Sequence, residues 1–411
     1  MSARTCDIAA CVAGYSRRLH AAIGTGHQVA SPLGAWLLLA LAGPASSGPD
    51  RDELADVLGC DVEAAARAAE DLLANPHPVV ASAAAVWTGD GGDLSDHFRQ
   101  WRLGLPDAVE FGALPDQAGA DQWAREHTFG LIDKFPIEIT AQIYLVLATA
   151  LATKVSWQVP FELAPAADLG AASDWSRRLS RVLRVPDPDH SRGHRQFITA
   201  ATEAGDVAVH AAAAEDGLLV YSVAAAPDVP AGAVLAAAYQ VGCADAVGDS
   251  VPHRDLGELE LGAGPAWTLR EETPARGSRD ICTAVLPAWS AQSDHDLARA
   301  GLGFDLAKNA LVGPADPWSA RQAAMARYTR VGFEAAAVTA MAMEMAMIRP
   351  PGTRRIADLQ FGHPYAAVAI AVSPGSAWHG VPVFSAWVAD PQDAEPQNPE
   401  PQNPELQTPE E

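Results

Sequence analysis

Residues 332–347 read Gly332-Phe333-Glu334-Ala335-Ala336-Ala337-Val338-Thr339-Ala340-Met341-Ala342-Met343-Glu344-Met345-Ala346-Met347. In a strand, successive side chains point to opposite faces. The stretch then sorts into Phe333, Ala335, Ala337, Thr339, Met341, Met343 and Met345 on one face and Glu334, Ala336, Val338, Ala340, Ala342 and Glu344 on the other. One face is largely apolar, and the other carries both glutamates. Propensity points to a helix, because Ala, Met and Glu are strong helix formers. Methionines at every second position, however, would spread around a helix instead of lining one stripe. The pattern fits a strand.

Around this stretch, 28 basic face 51 acidic side chains, a formal charge of -23. Such a chain repels phosphate backbones and anionic lipid surfaces, so neither nucleic acid nor a membrane is expected as a partner. Hydrophobic residues at 49% and 11 tryptophans supply ample surface for a core. The 411 residues allow one large domain or two to three ordinary ones. No basic segment followed by an apolar run stands near Met1, and the apolar run Leu33 to Ala42 is too short to span a bilayer, so a cytoplasmic location is expected. Cys6, Cys11, Cys60, Cys243 and Cys282 are odd in number and scattered; they resemble neither a disulfide framework nor a zinc site and read as small core residues.

Ser31-Pro32 before the apolar run from Leu33, and Gly48-Pro49-Asp50 before Leu54, Val57 and Leu58, predict two helices joined by a turn. Val79 to Trp87 and Gln142 to Val155 predict buried strands. Short strands are expected between Leu183 and Pro230, and a helix over Asp296 to Leu302 with Ser293 as its cap. From Gln392 to Glu411 the unit Pro-Gln-Asn-Pro-Glu occurs twice with almost no apolar side chain, the composition of a disordered tail.

Enzyme motifs are missing. His190 and His194 have the spacing of two ligands on a helix face, but Pro186, Pro188 and Gly193 oppose a helix and predict a polar loop. Gly262-Ala263-Gly264 lacks the third glycine of a dinucleotide fingerprint, and there is no nucleophile elbow, phosphate loop or His-Glu-x-x-His.

The run Gly332 to Ala340 closely resembles the hinge pattern Gly-Thr-Glu-Ala-Ala-Ala-Ala-Thr-Ala of the serpins, the serine protease inhibitor family. Other matches follow in the family's order: Ser31-Pro32-Leu33; Trp123, Thr128, Gly130 and Ile132; Lys154, Trp157 and Pro160-Phe161; Leu286-Pro287 with Asp296-Leu297 and Leu302-Gly303; Phe361-Gly362-His363-Pro364-Tyr365; and the closing run Pro382 to Pro391. The resemblance, to a bacterial-type intracellular member, implies an α+β fold of three β-sheets and about eight or nine helices with an exposed reactive loop. It implies a single domain over residues 1–391, followed by the acidic tail 392–411.

It further implies a protease inhibitor that is not an enzyme and needs no cofactor or metal, acting as a monomer. A serine or cysteine protease cleaves the loop, which then inserts as a new strand in the main sheet while the acyl-enzyme persists. The hinge is Gly332, Phe333, Glu334, Ala335, Ala336, Ala337, Val338 and Thr339. The family's loop length sets the reactive bond at Ala346-Met347, with Met345-Ala346 beside it, which suits an elastase- or chymotrypsin-like target. Arg349 is followed by Pro350 and makes a poor bait, and Arg354 and Arg355 lie beyond the usual loop length. Three features depart from the pattern. Phe333 stands where Thr or Ser is usual and would slow insertion, Arg330 replaces a Glu, and in the sheet-opening cluster Ser31 is kept while Gly34, Thr149 and Gln322 replace Ser, Asn and His. The alternative is a serpin-fold binding or storage protein that does not inhibit.

Overall fold

The chain was analysed as a computed structural model that describes residues 6–89, 96–140, 142–186, 193–201, 203–273, 280–313, 318–333 and 353–395. Local signals fix many element ends. The Ser31 side chain accepts from the Gly34 amide and Pro32 takes the first helical position, so a helix starts there. Asp7, Asp61 and Asp116 cap three others in the same way. Among the described residues the helices are α1 (Ile8–Ile23), α2 (Pro32–Ala42), α3 (Gly48–Leu58), α4 (Val62–Ala74), α5 (Asp96–Leu103), α6 (Gln117–His127), α7 (Trp175–Arg178), α8 (Ala231–Ala246) and α9 (Phe304–Val312).

The strands begin with β1 (Gln28–Ala30), β2 (Val80–Thr88), β3 (Val109–Ala113), β4 (Leu145–Thr153), β5 (Val155–Ser156), β6 (Glu162–Pro165), β7 (Arg181–Arg184), β8 (His194–Ala201), β9 (Gly205–Ala213) and β10 (Leu218–Ala224). They continue with β11 (Gly262–Ala263), β12 (Trp267–Glu272), β13 (Ile281–Leu286), β14 (Trp289–Asp296), β15 (Arg321–Tyr328), β16 (Gly332–Phe333), β17 (Arg354–Gln360), β18 (Tyr365–Ala371) and β19 (Pro382–Val388).

Two six-stranded sheets have the orders β1-β19-β18-β10-β9-β8 and β11-β12-β17-β13-β7-β6. The first sheet's strands β18 and β19 are buried on both faces, under α2 and α8, and read as near-continuous apolar runs for that reason. The remaining strands form β14-β15-β16-β5 and β3-β2-β4. Where three sheets were expected, four ladders are present among the described residues, because the third sheet is divided between β4 and β15. Only Lys154 separates β4 from β5, so the two parts are halves of one surface.

The expected strands over Val79–Trp87 and Gln142–Val155 are β2 and β4. The helix expected over Asp296 to Leu302 is not there: β14 runs to Asp296, paired with Arg321, and the helix begins at Phe304 behind Gly303 in a left-handed turn. Backbone pairing with a distant strand outweighs the local helical pattern. At the carboxyl end the body continues past Pro391. The Gln392 and Ala394 amides donate to Ala288 and Arg181 carbonyls, and the Asp393 carboxylate accepts from the Ser180 and Arg181 amides.

Candidate functional site

The division between β4 and β15 is the most unusual feature of the fold. β4 pairs with β2 along its whole length and β15 with β14 along its own. Among the described residues, neither the second edge of β4 nor that of β15 from Arg321 to Ala326 has a ladder partner. An unpaired strand edge exposes a row of backbone donors and acceptors that are ready to pair. A groove lies along this seam, lined by Leu147 to Leu151 on one side and Arg321 to Ala323 on the other. A second space continues it toward α9.

Among the described residues, only the top of the seam is closed. There Gly332 pairs with Ser156 and Phe333 with both Val155 and Tyr328, so β16 is a two-residue strand wedged between the halves. The Trp157 amide donates to the Val331 carbonyl at 3.0 Å and its indole to the Thr329 carbonyl at 2.9 Å. Arg330 donates to the Phe161 carbonyl at 3.3 Å. Phe333 is 4% exposed, its ring edge-on to Trp289 at 6.3 Å. The bulky ring expected to slow entry already sits inside the sheet.

Beneath the middle of the seam, the four cluster residues come together. The Ser31 amide donates to Gln322 Oε1 at 2.9 Å, and Gln322 Nε2 donates to the Ser31 carbonyl at 2.8 Å. Ser31 Oγ accepts from the Gly34 amide and donates to the Val383 carbonyl. Thr149 Oγ1 donates to the Gly34 carbonyl at 3.0 Å. The amino end of α2 therefore links Gln322 on β15 to Thr149 on β4. Gly34 acts through its backbone: a Cβ there would stand 3.1 Å from Leu151 Cδ1 and 3.3 Å from Ser31 Oγ, so serine at this position would be crowded.

Beyond Phe333, the hinge positions Glu334, Ala335, Ala336, Ala337, Val338 and Thr339 and the reactive-bond positions Met345, Ala346 and Met347 lie outside the described residues. The chain is described again at β17, in a different sheet. Arg354 and Arg355 are tied down in that strand, Arg354 to Glu272 and Arg355 to Glu271 and the Leu256 and Leu259 carbonyls. Neither is presented as bait.

One feature near the seam was not foreseen. His194, expected in a polar loop, opens β8 and is buried beside His210: its Nδ1 lies 3.1 Å from His210 Nε2, and its Nε2 2.7 Å from the Val159 carbonyl. Both rings pack against Phe161, which also touches Trp157 and Tyr328. Burial pushes the His194 pKa down to about 4, partly opposed by the Val159 carbonyl, and holds His210 well below the usual imidazole range. The sequence signal was faint: His210 sits within the apolar run of β9, where only a satisfied or neutral imidazole fits.

Among the described residues, no helix is long and apolar enough to cross a membrane. No family model and no curated sequence matches the chain. Solved structures do match it. The native state of tengpin, a thermophilic serpin, aligns with a TM-score of 0.64 at 13% identity, over 95% of this chain and 96% of that one. Human thyroxine-binding globulin with thyroxine aligns at 0.62 and 12% identity, over 94% and 98%. Human kallistatin aligns at 0.61 and 14% identity, over 94% and 98%. Along nearly its full length, with its third sheet parted at a single seam, the chain has the serpin fold.

Proposed function

We propose that the protein is a serpin that inhibits a protease by inserting its cleaved loop into the seam between β4 and β15. The seam carries this reading: two edges without a ladder partner among the described residues flank a groove, and the chain entering it, Gly332-Phe333, already pairs with both halves. Continuing both ladders two residues at a time would set Ala337 between Ala324 and Leu151, and Thr339 between Gln322 and Thr149, over Ser31. On the outer face the same register would set Glu334 between Lys154 and Arg327. Phe333 faces the core, as do Ala324, Ala326 and Leu151, so the small side chains Ala335, Ala337 and Thr339 would turn inward. That agrees with the two-faced pattern of the sequence.

About a dozen inserted residues would gain roughly 1 kcal/mol of net hydrogen bonding each, before the entropy of ordering them is subtracted. The reactive bond we assign is Ala346-Met347, with Met345-Ala346 adjacent, and the target an elastase- or chymotrypsin-like serine protease. In this role the chain is a spent substrate and has no catalytic residues of its own. Residues 392–394 join the body in this reading, and the acidic tail starts after them.

The test is incubation with elastase- and chymotrypsin-like proteases. An SDS-resistant covalent complex is expected, with sequencing of the released peptide starting at Met347. Cleavage in that region with neither a complex nor a rise in Tm would overturn the proposal. A second reading, a binding protein that does not trap, is favoured by one observation. Gln322 on β15 is held to Ser31 at two points, and Ser31 is joined through Gly34 to Thr149 on β4; a sheet latched in this way suits a protein that stays closed. In that case cleavage leaves the Tm unchanged.

A further inference from the structure

Three of the five cysteines, scattered in the sequence, converge in the fold. Cys6 and Cys11 Sγ lie 3.7 Å apart, and the sulfurs of Cys6, Cys11 and Cys60 all lie within 4.8 Å of one another. All three are free thiols. Cys6 stands just before Asp7, the cap of α1, and Cys11 lies one turn into that helix. This is the spacing of a hydrophobic staple, which by itself accounts for their approach.

It does not account for Cys60. That residue arrives from the α3–α4 corner and stands just before Asp61, the cap of α4. The corner turns at Gly59, whose φ of +80° is a left-handed conformation that glycine adopts without strain. It folds back until Cys11 Cα and Sγ lie 3.5 Å from where a Cβ of residue 59 would stand. The trio thus sits at the amino ends of two helices, where partial positive charge favours thiolates.

No carboxylate or imidazole joins the sulfurs in this group among the described residues, and an all-sulfur set selects soft cations over Mg²⁺, Ca²⁺ or Mn²⁺. Tetrahedral zinc with Zn–S bonds of about 2.3 Å needs sulfurs roughly 3.8 Å apart, and a small inward shift of Cys60 completes that triangle. Cys11 and Cys60 are buried while Cys6 is half-exposed, which leaves an entry side and an open fourth position.

We propose that Cys6, Cys11 and Cys60 form a three-thiolate site for one soft metal ion, Zn²⁺ or Cu⁺, which fastens the start of α1 to the α3–α4 corner. Binding displaces the thiol protons to solvent, with no redox change. The test titrates the reduced, metal-stripped full chain with Co²⁺ as a probe for Zn²⁺ and, separately, with Cu⁺ held by a competing chelator.

One equivalent of Co²⁺ should raise a thiolate-to-cobalt charge-transfer band that Zn²⁺ abolishes, and bound Zn²⁺ should shield three of the five cysteines from a thiol reagent. Cys6→Ser, Cys11→Ser and Cys60→Ser should each lose the band, while Cys243→Ser and Cys282→Ser keep it. Cys6→Ser, at the half-exposed position, guards against a variant that merely fails to fold, checked by its far-UV spectrum. Uptake of Cu⁺ without a cobalt band assigns the site to the monovalent ion. The proposal is overturned if the band survives in Cys60→Ser, or if neither metal binds the wild-type chain more tightly than the triple serine variant.

Discussion

Substituting Ala337 by arginine tests the insertion register directly. Continued from Phe333, the ladders set position 337 on the core face between Ala324 and Leu151, which are 2% and 7% exposed. Neither neighbour offers a partner for a guanidinium. A buried, unpaired charge costs several kcal/mol even after relaxation. If half of that is felt in the transition state for insertion, a barrier raised by about 2–3 kcal/mol slows insertion on the order of a hundredfold. Trapping is a race between insertion and hydrolysis of the acyl-enzyme, so the outcome should change while the initial attack does not. The assay is titration of protease with Ala337→Arg, Ala337→Ser and the wild-type chain, scoring covalent complex against cleaved protein on denaturing gels. Ala337→Arg should be cleaved at the wild-type rate with almost no complex, and its cleaved form should show no rise in Tm. Ala337→Ser should behave as wild type. Complex formation by Ala337→Arg in wild-type yield would refute the register.

Three more outcomes are expected. Phe333→Thr, which removes a ring buried against Trp289, should lower the stability of the uncleaved protein by about 2–4 kcal/mol; an unchanged denaturation midpoint would show that the ring is not seated in the sheet. Gln322→Ala removes both bonds to Ser31 and strands its amide, for a loss of about 2 kcal/mol, and should promote strand-linked polymers on mild heating; size-exclusion chromatography after heating that finds only monomer would count against the latch. His20 and His194 are each held at about 4 by burial, below the ordinary 6.5, so the unfolded chain binds their protons first as pH falls. Their stabilisation is complete above pH 6.5 and is lost toward pH 4, by about 3 kcal/mol each. A plot of Tm against pH should fall across that window, less steeply in His194→Gln; a flat plot would contradict the burial of the neutral rings.

Much of this was legible in the sequence where the signal was local. The Ser31-Pro32 cap and the strand over Val79–Trp87 follow from backbone geometry within a few residues. The seam was not legible, because a period of two tells which face a side chain takes and says nothing about which strand lies beside it. For the same reason Asp296 reads as helical until Arg321 is known to pair with it. His194 was hidden by Pro186, Pro188 and Gly193, which all precede β8 in the sequence and say nothing of the strand itself. The three cysteines were hidden because capping brings their helix ends together, although the repeated Cys-Asp at 6–7 and 60–61 was visible. Gly34 reads in the sequence only as a replacement of Ser; it takes part through its backbone, which composition cannot reveal.

The bond from Ser31 Oγ to the Val383 carbonyl joins residues 352 positions apart, and β1 pairs with β19, the last strand of the fold. At about 5–20 residues per second, the ribosome needs roughly 20 to 70 s to deliver that partner after Ser31 has emerged. Throughout that wait α2, with Leu33, Trp36, Leu37 and Leu41 all destined for burial, can pack on its helical neighbours and on β4 but not on β19. One face of α2 thus stays uncovered until synthesis is nearly over. A chain cut short before Pro382 would leave the Ser31 hydroxyl without its acceptor and α2 without β19.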